Sequence, residues 1–390
     1  MIDYNKFNLK SNPFDISFES PFMSDRKNEM KHLYDSLDAA FESKGSRFIL
    51  ILGNYGSGKT HMLNYLYSQF SNKKADHAEG VFVVKAHNDV LFEKPMTILE
   101  TEPKLVKFGL SLICRIFGNI DPEKVKSALQ RVPSEEIKGP YGKLFFNLSL
   151  GEPCAFRYIA GEKLTATELV KIGMPSVLND STTGLNVFFE WLRLLGLAKY
   201  HTQLILTDEF ELIPQVLGAS KVSVVLQTFR TIFDKSVQTA ANGTVSAKPV
   251  FVFAASPEGW EKIIQLADSS GKKTGGGGIA PFLRRMDPRD RIDLGPFGFE
   301  DTKELVLHRL ALNRIRATKQ DDLGPFTELA IEYVHHTSFF MPANIIQHCS
   351  ILIQDAILEN LDKIDVDDAQ RILGKYGIRA TFKGERQLKE

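Results

Sequence analysis

Gly53-Asn54-Tyr55-Gly56-Ser57-Gly58-Lys59-Thr60 stands between an apolar run, Phe48-Ile49-Leu50-Ile51-Leu52, and a helical pattern over His61–Phe70. The octet fits G-x-x-x-x-G-K-[ST]. Its glycines let the backbone turn tightly and aim N–H groups at phosphate oxygens. The helix that follows adds its positive N-terminal end. Lys59 is expected to reach the β- and γ-phosphates, and the Thr60 hydroxyl to bind Mg²⁺. The whole cradle is Gly53 to His61, with no chemistry assigned to the side chains of Asn54 and Tyr55. A glycine-rich turn carrying a lysine by chance is the bland alternative. The strand before it and the helix after it speak against that.

Outward from the octet, five short apolar runs read as buried strands: Arg47–Leu52, Val81–Ala86, Gln203–Asp208, Val250–Ala255 and Arg291–Leu294. Continuous apolar runs suit a parallel sheet covered on both faces. Helical patterns such as Val222–Phe233 separate them, which predicts an α/β fold with a five-stranded parallel sheet. Residues 87 to about 200 hold further helical patterns (Lys104–Ile116, Pro122–Gln130, Thr167–Ile172, Leu185–Leu195) and read as a helical insertion. After Pro296 the pattern is all helical: Glu300–Leu312, Pro325–His336, Pro342–Leu358 and Asp365–Gly374. The expected domains are an N-terminal segment (1–46), a core (47–296), a small all-α lid (297–378) and a charged tail (379–390). The glycine-rich stretch Ser269–Gly278 reads as a mobile loop. Phe339 and Phe340 read as lid core.

Leu204-Ile205-Leu206-Thr207-Asp208-Glu209 is an apolar strand that ends in two carboxylates. Buried charge there needs a partner or a metal. Asp208 is expected beside Mg²⁺, through water, and Glu209 to orient or deprotonate an attacking water. A solvated acidic turn is the alternative. Glu211, past the turn, reads as a neighbour or ion-pair partner.

The 390 residues are too many for one compact core. Lysine plus arginine equals aspartate plus glutamate, 48 each, so no global basic field draws the chain to nucleic acid. Three cysteines without close spacing make neither a disulfide framework nor a zinc site, and a reducing, cytoplasmic setting is expected. No run of about 18 apolar residues is present, so no membrane span is expected.

With both motifs in place, the chain resembles the AAA+ superfamily of P-loop ATPases: phosphate loop, acidic strand, polar residue ending the fourth strand, arginine region, helical lid. The resemblance implies ATP and Mg²⁺ as cofactors, ATP hydrolysis, and assembly into a homo-oligomer. It makes Ser256, at the end of Val250–Ala255, the sensor of the γ-phosphate; the alternative is a serine capping the turn Pro257-Glu258-Gly259-Trp260. It also implies an arginine finger supplied to a neighbouring subunit, with Arg284 or Arg285 as the candidates ahead of Arg289 and Arg291. A solvated charge cluster is the alternative there. The family's lid commonly carries G-x-P-R. Here the matching stretch is Phe340-Met341-Pro342-Ala343-Asn344, and Ala343 stands where the arginine belongs. That departure points to slow hydrolysis or to a switch that follows binding.

Asn12-Pro13-Phe14, Pro21-Phe22 and the helix after them resemble the segment that lies beside the nucleotide base in replication-initiator, transposition-regulator and ExeA-type ATPases. Ala155–Thr165, with Glu168-Leu169, Gly173 and the later Asp208–Glu211, resembles the ATP-binding proteins of BREX-type phage defence, where "W-L-x-G-x-x-L-T" precedes "DE-x-E". About 80 residues after Pro296 suffice for a lid and leave no room for a winged-helix DNA reader. Direct DNA contact would therefore use the core or basic patches, one at Arg309, Arg314, Arg316 and Lys319, another at Lys375, Arg379, Lys383, Arg386 and Lys389. Such charge runs are more often solvated faces. Two functions stay open: an oligomeric ATPase acting on or recruiting a DNA-associated complex, with a nuclease, transposase or other effector as partner; and a nucleotide-gated scaffold with slow hydrolysis and no DNA contact. A STAND-type signalling ATPase ranks last, for want of repeat arms.

Overall fold

The computed structural model describes residues 2–15, 26–76, 78–86, 113–114, 116–212, 219–274, 280–316 and 322–379. The strands are β1 (Arg47–Gly53), β2 (Val81–Ala86), β3 (Thr202–Thr207), β4 (Lys248–Ala255) and β5 (Arg291–Leu294). They form one parallel sheet in the order β2-β3-β4-β1-β5. β1 is registered on β4 (Leu52 opposite Ala255) and β4 on β3 (Phe253 opposite Thr207). The carboxyl ends of β1, β3 and β4 thus share one edge of the sheet, with β4 between the other two.

The chain divides into two compact units. One comprises His32–Leu52 and Leu63–Asp293 and holds the sheet strands. Its core lies under the apolar runs: Phe48, Phe251 and Phe253 stack across β1 and β4, and Phe229 and Phe282 close over them. Continuous burial along β1, β3 and β4 explains why these strands read as unbroken apolar runs. β5 departs from that expectation. It sits at the sheet edge, its residues alternate between exposed and buried, and Arg291 pairs with Asp293 on its open face.

Helices cover this sheet: part of α1 (Lys27–Glu42) and α2 (Lys59–Ser71), then α3 (Pro122–Leu129), α4 (Gly142–Ser149), α5 (Pro153–Ile159), α6 (Ala166–Ile172) and α7 (Ser181–Leu197), then α8 (Ala219–Ala241) and α9 (Pro257–Thr274). The insertion is helical, as the sequence indicates, although only Ile113, Cys114 and Ile116 of the expected 104–116 helix lie within the described residues. α7 sets Trp191 against Phe82 of β2. α9 corrects the loop expected at 269–278: the helix runs on through Thr274, and 275–279 lie outside the described residues. Once an apolar face (Trp260, Ile263, Ala267) is anchored, each added residue gains a backbone hydrogen bond without a new nucleation cost.

The second unit comprises Met1–Lys31, Gly53–Met62 and Leu294–Glu390. Its helices are α10 (Phe299–Asn313), α11 (Glu328–Thr337), α12 (Pro342–Leu358) and α13 (Val366–Lys375). The N-terminal segment belongs to its core. Phe7, Leu9 and Phe14 are buried with Val306, Leu310 and Leu352, and Leu9 bridges to Arg314.

This unit carries a buried histidine. His348 on α12 lies 3.1 Å from the Thr337 hydroxyl, and burial pushes its imidazole down to about 4. An unfolded histidine titrates near 6.5. Between those values the unfolded chain binds a proton that the folded chain refuses, so stability falls as pH drops from about 6.5 toward 4. His335, also lowered by burial, adds in the same direction. We expect urea unfolding of the wild type to lose about 1–2 kcal/mol over that window, allowing for partial solvation. His348→Gln should flatten the slope; an unchanged slope would contradict the assignment.

Candidate functional site

The phosphate loop lies in the helical unit. Gly56 (φ 80°) and Gly58 (φ 98°) hold left-handed conformations that favour glycine. A Cβ at Gly53 would meet Ser57 Oγ at 2.3 Å. The carbonyls of residues 53, 54, 56 and 57 each accept a hydrogen bond. Lys59, only 9% exposed, donates to Gly53 O (2.8 Å) and Asn54 O (3.2 Å). Ala343 N–H donates to Gly56 O (3.2 Å), and Arg26 Nη2 to Ser57 O (3.0 Å). The first intrahelical bond of α2 runs from Met62 N to Gly58 O, so the helix's leading N–H groups are not spent within it. Thr60 and Tyr55 are exposed, Tyr55 to 94%. A loop whose carbonyls are engaged and whose following helix begins at its mouth suits an anion.

In the sheet unit, Asp208 follows β3 at the shared carboxyl edge. It is buried, and its Oδ1 accepts the Glu209 N–H at 2.9 Å. Glu209 is exposed and holds φ 49°, a left-handed conformation that costs a non-glycine residue about 1–3 kcal/mol. Phe210 anchors the turn from below, its ring 4.2 Å from that of Phe253. Glu211, read from sequence as a neighbour, ties the turn to β4: its Oε1 accepts the Ser256 N–H at 3.0 Å. Gly259 has to be small here, since a Cβ would meet Glu211 Cβ at 2.2 Å. The Ser256 hydroxyl accepts the Gly259 N–H at 3.1 Å, so it caps α9 as the alternative reading had it. Among the described residues no group of three or more His, Cys, Asp and Glu is placed to hold a metal by itself.

The arginines separate. Arg285 forks onto Asp234 of α8 at 2.6 and 2.9 Å and lies over the Phe233 ring. Arg289 pairs with Asp287 and holds that carboxyl well below the usual carboxylate range. Arg284 is exposed, outside all these pairs. Arg285→Ala is therefore expected to lower the melting temperature, and Arg284→Ala to leave it within about 2 °C, the scale of a neutral surface change. Equal losses in both variants would contradict the division.

Several expected sites fall elsewhere. Arg309 and Arg314 are not a basic surface patch: both are buried, donating to Pro13 O and to Phe7 O, because they fasten the N-terminal segment. Arg316 and Arg379 are exposed, and Lys375 pairs with Glu359. Lys319, Lys383, Arg386 and Lys389 lie outside the described residues, as do Pro21 and Phe22. Phe339 is 75% exposed rather than lid core, because it and Phe340 make a left-handed turn (φ 52° and 63°) between α11 and α12. The stretch likened to the phage-defence proteins builds the α5–α6 turn: Tyr158 is buried, Gly161 is left-handed (φ 78°), and Thr165 and Glu168 form a capping box.

No family model and no curated protein sequence matches the chain. Solved structures do. The Aeropyrum pernix ORC2 protein in ADPNP and ADP complexes is 14% identical, with a TM-score of 0.49 over 94% of this chain and 72% of that one. Cdc6p from Pyrobaculum aerophilum is 12% identical, with a TM-score of 0.49 over 93% and 70%. Drosophila ORC bound to DNA is 10% identical, with a TM-score of 0.47; the match covers 94% of this chain, which spans 65% of that one. No helix among the described residues is long and apolar enough to cross a membrane.

Proposed function

We propose that the chain is a Mg²⁺-dependent ATPase of the AAA+ type that works as an oligomer on, or in recruitment to, a DNA-associated complex. The observation that carries the ATPase reading is the phosphate loop: left-handed Gly56 and Gly58, with the carbonyls of residues 53, 54, 56 and 57 all engaged. Within the sheet unit, the buried Asp208 carboxylate at the end of β3, with Glu209 beside it, supports it.

On this reading Lys59 exchanges its two loop carbonyls for the β- and γ-phosphate oxygens. Thr60 and Asp208 hold Mg²⁺, which when bound neutralises charge on those oxygens. Glu209 orients water in line with the γ-phosphate and takes its proton. Arg284 serves a neighbouring subunit's site. Arg285, held by Asp234, positions that segment. The DNA-associated role, in defence, transposition or replication, rests on the sequence resemblance.

One observation favours a slow switch as the second reading. Ala343, at the position where the resemblance expects a lid arginine, meets the loop through its backbone, and the Ser256 hydroxyl accepts the Gly259 N–H as a helix cap.

Phosphate release from ATP, measured against protein concentration, tests the reading. Per-subunit turnover is expected to rise with concentration. Mixing Arg284→Ala with Lys59→Ala chains should restore part of the activity, because one supplies an intact loop and the other an intact finger. No hydrolysis at any concentration with Mg²⁺ present would overturn it.

A further inference from the structure

Arg26 is buried, its side chain 3% exposed, immediately before α1. Removing a guanidinium from water is costly unless its donors are met. Here Nη1 donates to Glu29 Oε1 at 2.8 Å, Nη2 donates to Ser57 O at 3.0 Å, and the guanidinium carbon lies 4.5 Å from the centre of the Phe297 ring. A planar fork that also stacks is a task for arginine and not for lysine.

The bond to Ser57 O has a consequence for the site. A trans peptide is planar, so its carbonyl and the next N–H point in opposite directions. Pinning Ser57 O therefore aims the Gly58 N–H away from Arg26. The preceding plane is set the same way, because Ala343 N–H holds Gly56 O. The two grips are joined. Phe297, against Arg26, donates its N–H to Phe340 O at 2.9 Å, and Phe340 lies in the left-handed turn that leads to Ala343. A circuit of contacts runs from Ser57 through Arg26, Phe297, Phe340 and Ala343 back to Gly56, all within one compact unit.

We infer that Arg26 is a positioning residue for the phosphate loop, and that its contact with Phe297 couples the loop's occupancy to the start of α12, which lacks an arginine of its own. The inference rests on the proposed nucleotide site. When phosphate binds, the plane held by Arg26 stiffens, and the turn at 339–343 stiffens with it.

The test uses the full chain, a fluorescent ATP analogue with Mg²⁺, and hydrogen exchange at residues 339–346. In the wild type, nucleotide is expected to slow exchange there. Arg26→Ala and Arg26→Lys should each weaken affinity at least tenfold and abolish that slowing. Millimolar ethylguanidinium should restore part of the affinity to Arg26→Ala, a rescue that a general loss of fold would not show. Phe297→Leu, which spares the fork, should keep affinity within about twofold yet lose the slowing. Arg26→Ala binding as tightly as wild type would overturn the positioning role. Phe297→Leu with full nucleotide-dependent slowing would overturn the coupling. A wild type that binds no nucleotide defeats the underlying site instead, and that outcome is distinct from both.

Discussion

Glu209→Gln is expected to hold ATP as tightly as the wild type and to turn it over about 10²–10⁴ times more slowly, the range for loss of a positioned general base. The substitution keeps size and hydrogen-bonding reach and removes only the ability to take a proton. Glu209 is exposed and strained at φ 49°, while Asp208 beneath it is buried and accepts the Glu209 N–H. That division of labour predicts a contrasting variant. Asp208→Asn should weaken Mg²⁺ dependence and nucleotide retention together, because its carboxylate is the buried oxygen donor. Single-turnover kinetics with labelled ATP separate the two effects. A Glu209→Gln chain that hydrolyses at the wild-type rate would remove Glu209 from the chemistry and return the acidic turn to a structural role.

Lys59→Ala is expected to lose triphosphate affinity by about 10–100-fold, the worth of one or two charge-assisted hydrogen bonds, and to bring turnover to background. The ammonium lies almost buried at the loop's mouth, donating to Gly53 O and Asn54 O. Without it Gly53 O loses the ammonium donor while Asn54 O keeps only the Ser57 N–H, so the loss combines a missing cation with a carbonyl dipole of the wrong sign. The deficit should grow with phosphate number, being small for adenosine and large for ATP. Isothermal titration with adenosine, ADP and ATP reads this directly. Equal losses for all three would indicate a collapsed loop and not a missing phosphate contact.

What could be read in advance follows from how local each signal is. β1 and β4 announce themselves because both sheet faces are covered, leaving apolar runs at Phe48–Leu52 and Val250–Ala255, and β3 carries the shorter run Leu204–Leu206. The phosphate loop is a contiguous octet whose glycines are required by its own backbone. Features made by distant segments were not legible. Arg309 and Arg314 look like surface cations until Pro13 and Phe7, some 300 positions earlier, are seen to take their bonds. Arg284 and Arg285 are equivalent as letters; only Asp234, brought alongside by α8, tells them apart. Arg26 gave no pattern at all, because its partners lie at Glu29, Ser57 and Phe297. The exposure of Phe339 depends on a left-handed turn that two phenylalanines do not advertise. Ser256 is open between sensing and capping in the sequence; its bond from Gly259 N–H supplies the cap and leaves the hydroxyl proton to donate elsewhere.

A crystal structure of the chain with a non-hydrolysable ATP analogue and Mg²⁺ tests the central claim most directly. The account predicts the β- and γ-phosphates against the N–H groups of residues 56–60, Lys59 Nζ moved from Gly53 O and Asn54 O onto them, and the metal on Thr60 Oγ1 with Asp208 one water away. Nucleotide bound elsewhere, or phosphates in the loop with Asp208 and Glu209 out of reach of the metal, would contradict it.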